Sequence, residues 1–493
     1  MKTHKLLLSL ITLCCSALLY AQPGSLDSSF SKDGKLKFPA LRSAESLAIQ
    51  SDGKILARYG FSVARFKSNG TLDKSFGVNG LVSTSFEGYN IGSVLTLQPD
   101  GKIILGGSAI DNNDFFNNCL ARFTANGIPD SSFGVNGKVT TFIDDFYAPT
   151  SIAISSDGKI VVALASTYFA DADIDILEYN DDGSVYNEFG YGGTSFNHRS
   201  YANAMALQSK GKIVVAGSTA NDTVGNILTL LRFKKTGVLD NSFGYGGLII
   251  LDDDMSATAM ALQSNDKIVI LADKYQDSII ARFTKNGLPD STFGTNGRIN
   301  PAFRGNALVV QPDGKIIIAG RLYNGSDYDL AIARYKKNGK PDKTFGINGI
   351  VTTNFNGNDG AASIALQTDD KIVAGGFSEG DLALARYHGD VTLFNDAGNE
   401  NITAVKNAGD PPINTGIKIY PNPFQSILSI DFSAPGKIQK TISVYNIKGE
   451  LLLTKAADGN TQLDVTQLTP GTYLIKINDE SGEELYAGKV IKQ

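Results

Sequence analysis

One phrase recurs seven times along the chain, and no other feature constrains the fold as much. The copies are LDSSFSKDGKL from Leu26, LDKSFGVNGLV from Leu72, PDSSFGVNGKV from Pro129, VYNEFGYGGTS from Val185, LDNSFGYGGLI from Leu239, PDSTFGTNGRI from Pro289 and PDKTFGINGIV from Pro341. Successive copies start 46, 57, 56, 54, 50 and 52 residues apart. Each is followed by a second phrase of the type AIQSDGKILARYG or VVQPDGKIIIAG, and by a third of the type SVARFKSNG or AIARYKKNG. Self-similarity at such a period marks propellers and solenoids, in which each repeat is one supersecondary unit that buries its apolar face against its neighbours.

Each unit predicts four short strands: one after SFGxxG, one at AxQ before Asp-Gly-Lys, one at KIVVAG and one at ARF. The Asp-Gly step, as at Asp52-Gly53 and Asp313-Gly314, predicts a tight hairpin with positive φ at both central positions. The fifth and last copies have Asn265-Asp266 and Asp369-Asp370 there instead. Runs such as Ile213-Val214-Val215-Ala216 are continuously apolar, which predicts strands buried on both faces. The small residues that follow (Ala216-Gly217, Ala319-Gly320, Gly106-Gly107) predict crowding near a central axis. Four strands in each of seven units of roughly 50 residues predict an all-β fold, a seven-bladed β-propeller. An open β-solenoid is the alternative, but it would need atypical capping repeats, and the first and last units here are ordinary.

An arginine of the third phrase and an aspartate of the next first phrase stand eight apart: Arg65 and Asp73, Arg122 and Asp130, Arg232 and Asp240, Arg282 and Asp290, Arg334 and Asp342. Where the arginine is replaced, by Glu178, the aspartate is replaced too, by Tyr186. Joint loss predicts an ion pair across the turn. Arg386 has no such residue downstream, so in a closed ring its partner is Asp27. Exposed pairs of this kind would contribute about 0–1 kcal/mol each and would set register rather than strength.

The chain's start and its chemistry are quickly bounded. Lys2 and Lys5 precede the apolar run LLLSLITLCCSALLYA, which predicts a signal peptide over residues 1–21 cleaved after Ala21. Cys119 would then be the last cysteine, unable to form an internal disulfide, and its NCLARF context predicts a small buried hydrophobe. No later segment nears spanning length, so no integral membrane segment is expected after cleavage. A net charge of −5 speaks against nucleic acid as a partner. His198 and His388 begin no metal spacing, and G-x-S-x-G, H-E-x-x-H and P-loop patterns are missing, so no catalytic residue is assigned. Calcium would find its oxygen ligands at Asp111 to Asp114, Asp144-Asp145, Asp171, Asp173 and Asp175, or Asp252 to Asp254. None of these has an EF-hand pattern, solvated acidic loops are the expectation, and no cofactor is assigned. Units three and four depart most from the repeat, from Tyr168 to Tyr191 with His198 and Arg199.

The phrases D-x-S-F-G-x-x-G and Q-x-D-G-K-I-x-x-x-G resemble the delta-60 repeat, a propeller domain of unknown function, over residues 26–390. The resemblance implies a propeller and no catalytic residues. In residues 417–493, alternating runs separated by turn residues predict a small immunoglobulin-like β-sandwich of about seven strands. Tyr420-Pro421-Asn422-Pro423, the Gly449 turn, Pro470-Gly471-Thr472-Tyr473 and the basic end KVIKQ resemble the type A C-terminal sorting domain of the type IX secretion system of Bacteroidota. That resemblance implies passage through the outer membrane by the type IX machinery. Removal of the domain would follow, with attachment to surface lipopolysaccharide or release. The expected organisation is therefore a signal peptide (1–21), a propeller (22–396), a polar linker (397–416) and a sorting domain (417–493). The expected function is a secreted or cell-surface, non-catalytic module that binds a glycan, protein or surface partner. The alternative is a polysaccharide-active enzyme with carboxylates at the channel mouth.

Overall fold

The computed structural model describes residues 22–110, 116–142, 147–166, 174–186, 200–221, 225–274, 277–390, 417–420, 426–432, 440–446, 451–469, 471–479 and 484–492. Two units divide the chain, Met1–Val391 and Thr392–Gln493. Every regular element among the described residues is a β-strand.

The first sheet shows how a repeat folds. Ser46–Ile49 turns at Asp52-Gly53 into Ile55–Tyr59, Ser62–Phe66 returns beside it, and Leu81–Ser83 forms the outer edge, each strand antiparallel to the last. That outer strand follows SFGVNG and so belongs to the next sequence copy. Lys138–Phe142, Leu248–Asp254, Arg298–Ile299 and Ile350–Thr353 do the same. Sequence unit and sheet are thus one strand out of phase, and these sheets take their edges from the copy that follows. After the last copy none follows. Lys35–Phe38, from the start of the chain, fills that place, pairing Lys35 with Ala385 and Phe38 with Leu382.

Among the described residues the first unit holds seven such sheets, one of them with three described strands. Their inner strands touch in sequence: Ser46–Ile49, Tyr89–Leu97, Tyr147–Ile154, Ser200–Leu207, Ser256–Leu262, Gly305–Val310 and Asp359–Leu366, the last touching the first again. A closed circuit of inner strands is the architecture of a β-propeller. Every sheet is an up-and-down meander, so its Asp-Gly-Lys hairpin and its ARF-to-SFGxxG turn lie at one end. These ends make a repeat face. The hairpins between second and third strands, and the entries into inner strands, make the opposite, variable face.

The second strands are the core. Ile103–Leu105, Ile213–Ala216, Ile268–Ala272 and Ile316–Ala319 are at most 2% exposed, and each packs against the neighbouring sheets on both sides. Gly107, Gly217, Gly320 and Gly376 answer to a local constraint rather than to crowding at an axis. Opposite each, the inner strand carries a bulge. A Cβ on Gly217 would lie 1.7 Å from the Tyr201 carbonyl oxygen, so the close approach at this bulge requires glycine, whereas Leu164 and Ala272 stand opposite the corresponding bulges of two other sheets.

The Asp-Gly hairpins also differ from a primed two-residue turn. Only the second residue has positive φ, 80° at Gly53, 85° at Gly314, 63° at Asp266 and 64° at Asp370. The Gly53 N–H donates to the Gln50 carbonyl at 2.9 Å. The loop is therefore a type I turn closed by one left-handed residue, which asks nothing unusual of the first position.

In the second unit Ile417–Tyr420, Ile427–Phe432 and Thr461–Asp464 form one sheet; Leu451–Ala457, Lys440–Asn446, Gly471–Asn478 and Glu484–Lys492 form another. Alternate residues of both sheets meet in one core, among them Leu428, Ile430, Leu463, Ile442, Val444, Ile475 and Val490.

Candidate functional site

The residues that recur most faithfully build a staple between sheets. Asp73 lies just past the Asn69-Gly70 turn. Its Oδ1 accepts the Ser75 amide at 3.2 Å and hydroxyl at 2.6 Å, an Asx-type closure that fixes the carboxylate. Its Oδ2 receives Arg65 through Nε at 3.0 Å and Nη2 at 2.9 Å. The guanidinium stacks on the Phe76 ring at 4.6 Å. Arg65 Nη1 then donates to the Ala125 carbonyl of the next sheet at 2.6 Å. Lys54, from the Asp-Gly-Lys hairpin, stands 3.9 Å from the same Asp73 oxygen.

The structure brings the other five pairs together too, with Arg334 reaching Asp390 at 2.8 Å as well. Arg122 meets Asp130 at 2.8 Å, Arg232 meets Asp240 at 2.9 Å, Arg282 meets Asp290 at 2.7 Å and Arg334 meets Asp342 at 2.9 Å. Arg386 meets Asp27 across the ring closure at 2.8 Å. These arginines are at most 4% exposed and the aspartates at most 9%. The pairs are buried rather than exposed, so removing one partner strands a charge in the interior at a cost of about 3–5 kcal/mol. Burial by itself pushes the Asp27 and Asp130 carboxyls up. Bonds from Ser29 and Ser132, with the charges of Arg386, Lys371, Arg122 and Lys102, outweigh it and hold both at about 2.

At the divergent junction Lys159 keeps its place. Its ammonium stands over the Tyr186 ring and 3.8 Å from Glu178, whose buried carboxyl is pushed above its ordinary value by desolvation. The roles of lysine and of the stacked phenylalanine were not read from the sequence. The signal for phenylalanine was its fixed place after the aspartate. The spacing from lysine to aspartate varies with the hairpin between them.

On the variable face the side chains stop repeating. Tyr323 and Tyr328 pair across the hairpin of Ile316–Tyr323 and Tyr328–Tyr335, with rings 5.4 Å apart and tilted by 58°. The Arg321 guanidinium stands over Tyr328 at 4.5 Å. Tyr323 is 56% exposed and Tyr328 37%. Across the seam Gly360 has no side chain; a Cβ there would lie 3.6 Å from the Arg321 Cβ and 3.1 Å from the Phe377 ring. Two open rings and a guanidinium thus share one shallow surface. It offers π faces to the C–H groups of a sugar or peptide, and fork-like donors to a carboxylate. Carboxylates of this face are tied to neighbours: Asp273 to Arg304 at 2.9 Å, Glu45 to Arg58 at 3.1 Å, and Asp359 to the Phe355 amide at 2.6 Å.

Several residues singled out by the sequence lie outside the described residues: Asp111 to Asp114, Asp144, Asp145, Asp171, Asp173, His198, Arg199, Pro421, Asn422, Pro423, Gly449 and Pro470. The side chains of Asp252, Asp253 and Tyr420 are not described either. Asp254 accepts the Asn226 amide at 3.2 Å. No group of three or more metal-ligating side chains occurs among the described residues. Cys119 is fully buried, and desolvation pushes its thiol up to about 12, which leaves it protonated and inert. His388 is 31% exposed and lies 3.8 Å from Asp27. In the second unit Tyr473 is 5% exposed and its hydroxyl donates to the Thr469 carbonyl at 2.5 Å. Lys492, in the basic end, donates to the carbonyls of Val465, Thr466 and Leu468 at 2.7, 3.0 and 2.6 Å.

Comparison with known proteins agrees with this division. A model of the secretion system C-terminal sorting domain matches residues 418–493. A model of the DUF5122 β-propeller, a domain of unknown function, matches residues 50–76, 98–133, 208–243, 263–293 and 311–345. No curated protein matches the chain. Among solved structures, PorZ, an essential bacterial surface component of the type IX secretion system of Porphyromonas gingivalis, is 13% identical with a TM-score of 0.40. That alignment covers 93% of this chain but only 60% of PorZ. The extracellular domain of the putative one-component system BT4673 from B. thetaiotaomicron is 11% identical, with a TM-score of 0.26 and coverage of 91% of this chain and 69% of that one. A glucose dehydrogenase is 10% identical, with a TM-score of 0.39 and coverage of 72% and 99%.

Proposed function

The chain is a DUF5122 β-propeller-repeat protein with a type IX secretion sorting domain at its C-terminus, and on that premise we propose that it works outside the cell as a non-catalytic binding module. The sorting domain directs it to the cell surface or the extracellular space. Residues 1–21 serve as a cleaved signal peptide, and the type IX machinery carries the chain across the outer membrane. Processing falls in the linker, residues 397–416, between the propeller (22–396) and the sorting domain (417–493). Seven blades are supported by the closed circuit of inner strands among the described residues. An immunoglobulin-like sandwich for the tail is supported by two sheets around one core. The Tyr473 hydroxyl bonds back to the backbone as in the tyrosine corner of such folds.

One observation carries the binding role. The recurring Arg, Asp and Phe are buried inside the staples, whereas Arg321, Tyr323 and Tyr328 are non-repeated and open on the variable face. The ligand is a glycan, protein or other surface partner that presents apolar C–H faces beside a carboxylate. The test is a panel of neutral and uronic-acid oligosaccharides offered to the exported chain. Binding that prefers uronates and disappears in Tyr323→Ala with Tyr328→Ala supports the reading. Binding untouched by that pair removes the site. New reducing ends released from any member of the panel would establish the polysaccharide-active alternative.

A further inference from the structure

The repeat face carries a second, independent pattern. The residue after the SFG glycine is the most exposed hydrophobe of its repeat: Val78 is 77% exposed, Val135 76%, Tyr245 89% and Ile347 82%. In the first copy Lys32 stands at this place and in the sixth Thr295. The next turn adds Ile128 at 62% and Leu288 at 55%. Burial does not require these residues to be apolar, and four of the six described copies keep them so.

The turns that present them are tied into a girdle. The amide before each exposed residue donates to a turn of the adjoining sheet: Gly77 to Asn126 at 3.0 Å, Gly134 to Asp182 at 2.8 Å, Gly244 to Asn286 at 3.0 Å, Gly294 to Asn338 at 3.0 Å, Gly346 to Pro23 at 2.9 Å, and Ser31 to Asn69 at 2.7 Å. Apolar tips are therefore held at one end of the sheets by backbone hydrogen bonds, not on independent loops. Beside them stand exposed lysines, densest on the arc of the fourth to sixth sheets: Lys234, Lys285, Lys336, Lys337, Lys340 and Lys343. The same face also carries the hairpin aspartates Asp52, Asp100, Asp313 and Asp369, each paired with its own lysine, and the lysines of this arc stand outside those pairs.

We propose that the repeat face docks on an anionic lipid surface, its lysines against the negative headgroups and its Val, Ile and Tyr tips in the interfacial layer. Single apolar side chains spread over several turns of one face, rather than gathered in one cluster, suit a planar and laterally uniform partner. A protein partner would be met by a compact central cluster of anchors. Lysine attraction to acidic headgroups and the burial of apolar tips act together in interfacial binding. Docking in this sense leaves the variable face pointing away from the lipid. The inference rests on the preceding reading only for placing the chain outside the cell, and it does not need the Tyr323–Tyr328 site.

The test is sedimentation of the exported chain with vesicles of phosphatidylcholine alone, or with about one-third phosphatidylglycerol, at about 0.1 M and about 0.5 M salt. The expected result is binding to the anionic vesicles only, weakened by salt. It falls at least about tenfold in Tyr245→Ser with Ile347→Ser, and in Lys336→Glu with Lys337→Glu. These side chains are exposed, so folding is checked by an unchanged Tm. Tyr323→Ala with Tyr328→Ala is expected to bind vesicles as the parent chain does. Equal binding to both vesicles, binding to neither, or full binding by the rim variants overturns the proposal. So does a chain that dimerises through Tyr245 and Ile347 without lipid, because the face would then belong to a second copy.

Discussion

The Arg386–Asp27 pair places the most weight on single residues, because it joins the two ends of a chain segment more than 350 residues long. Arg386→Ala leaves Asp27 buried with Lys371, His388 and the Ser29 bonds but without its guanidinium, and is expected to cost about 3–5 kcal/mol in urea unfolding. Replacing both partners with apolar residues, Arg386→Met with Asp27→Val, should recover much of that loss. The same carboxylates set an acid limit. A carboxyl held below its unfolded value adds stability above that value and gives it up as the pH falls. For Asp27 and Asp130 the window runs from 3.8 down to about 2. Stability measured across that window should fall less steeply in Asp27→Asn than in the parent chain. Arginine and aspartate were legible as a pair because the turn between them has constant length. Lys54 and Lys102 serve the same carboxylates but are separated from them by hairpins of different length, so no fixed spacing betrays them.

At the scale of strands, the sequence shows where strands lie but not which sheet owns them. The run after SFGxxG is equally a first strand of its own copy or the last strand of the copy before. Only pairing, such as Ser62 with Ser83, decides for the latter. The physical gain is that each junction with a described outer strand is bridged by backbone hydrogen bonds, and Lys35–Phe38 brings the same device to the closure. Glycines after the apolar runs were visible, but their cause was not, because a bulge in the facing strand leaves no mark on the glycine's own strand. Gly217→Ala places a methyl against the Tyr201 carbonyl and should cost about 1–3 kcal/mol. Gly60→Ala meets nothing within 4 Å but stands at a φ of 56°, so comparing the two by urea unfolding separates the cost of the bulge contact from that of a left-handed backbone.

The whole molecule separates tasks by face and by unit. Repetition builds the propeller and its lower girdle, and the departures from repetition build the variable face. Family-level motifs made the export signal readable from the chain alone, whereas the Tyr323–Tyr328 surface was not, since two tyrosines five residues apart meet only once the hairpin forms. The most direct test of the central claim is protease accessibility on intact cells of a bacterium with a type IX system. The chain and a version lacking residues 418–493 would be compared. The account predicts that the complete chain is exposed at the surface or in the medium, and that the shortened chain stays inside the outer membrane with its propeller folded. A shortened chain that reaches the surface as efficiently as the complete one would contradict it.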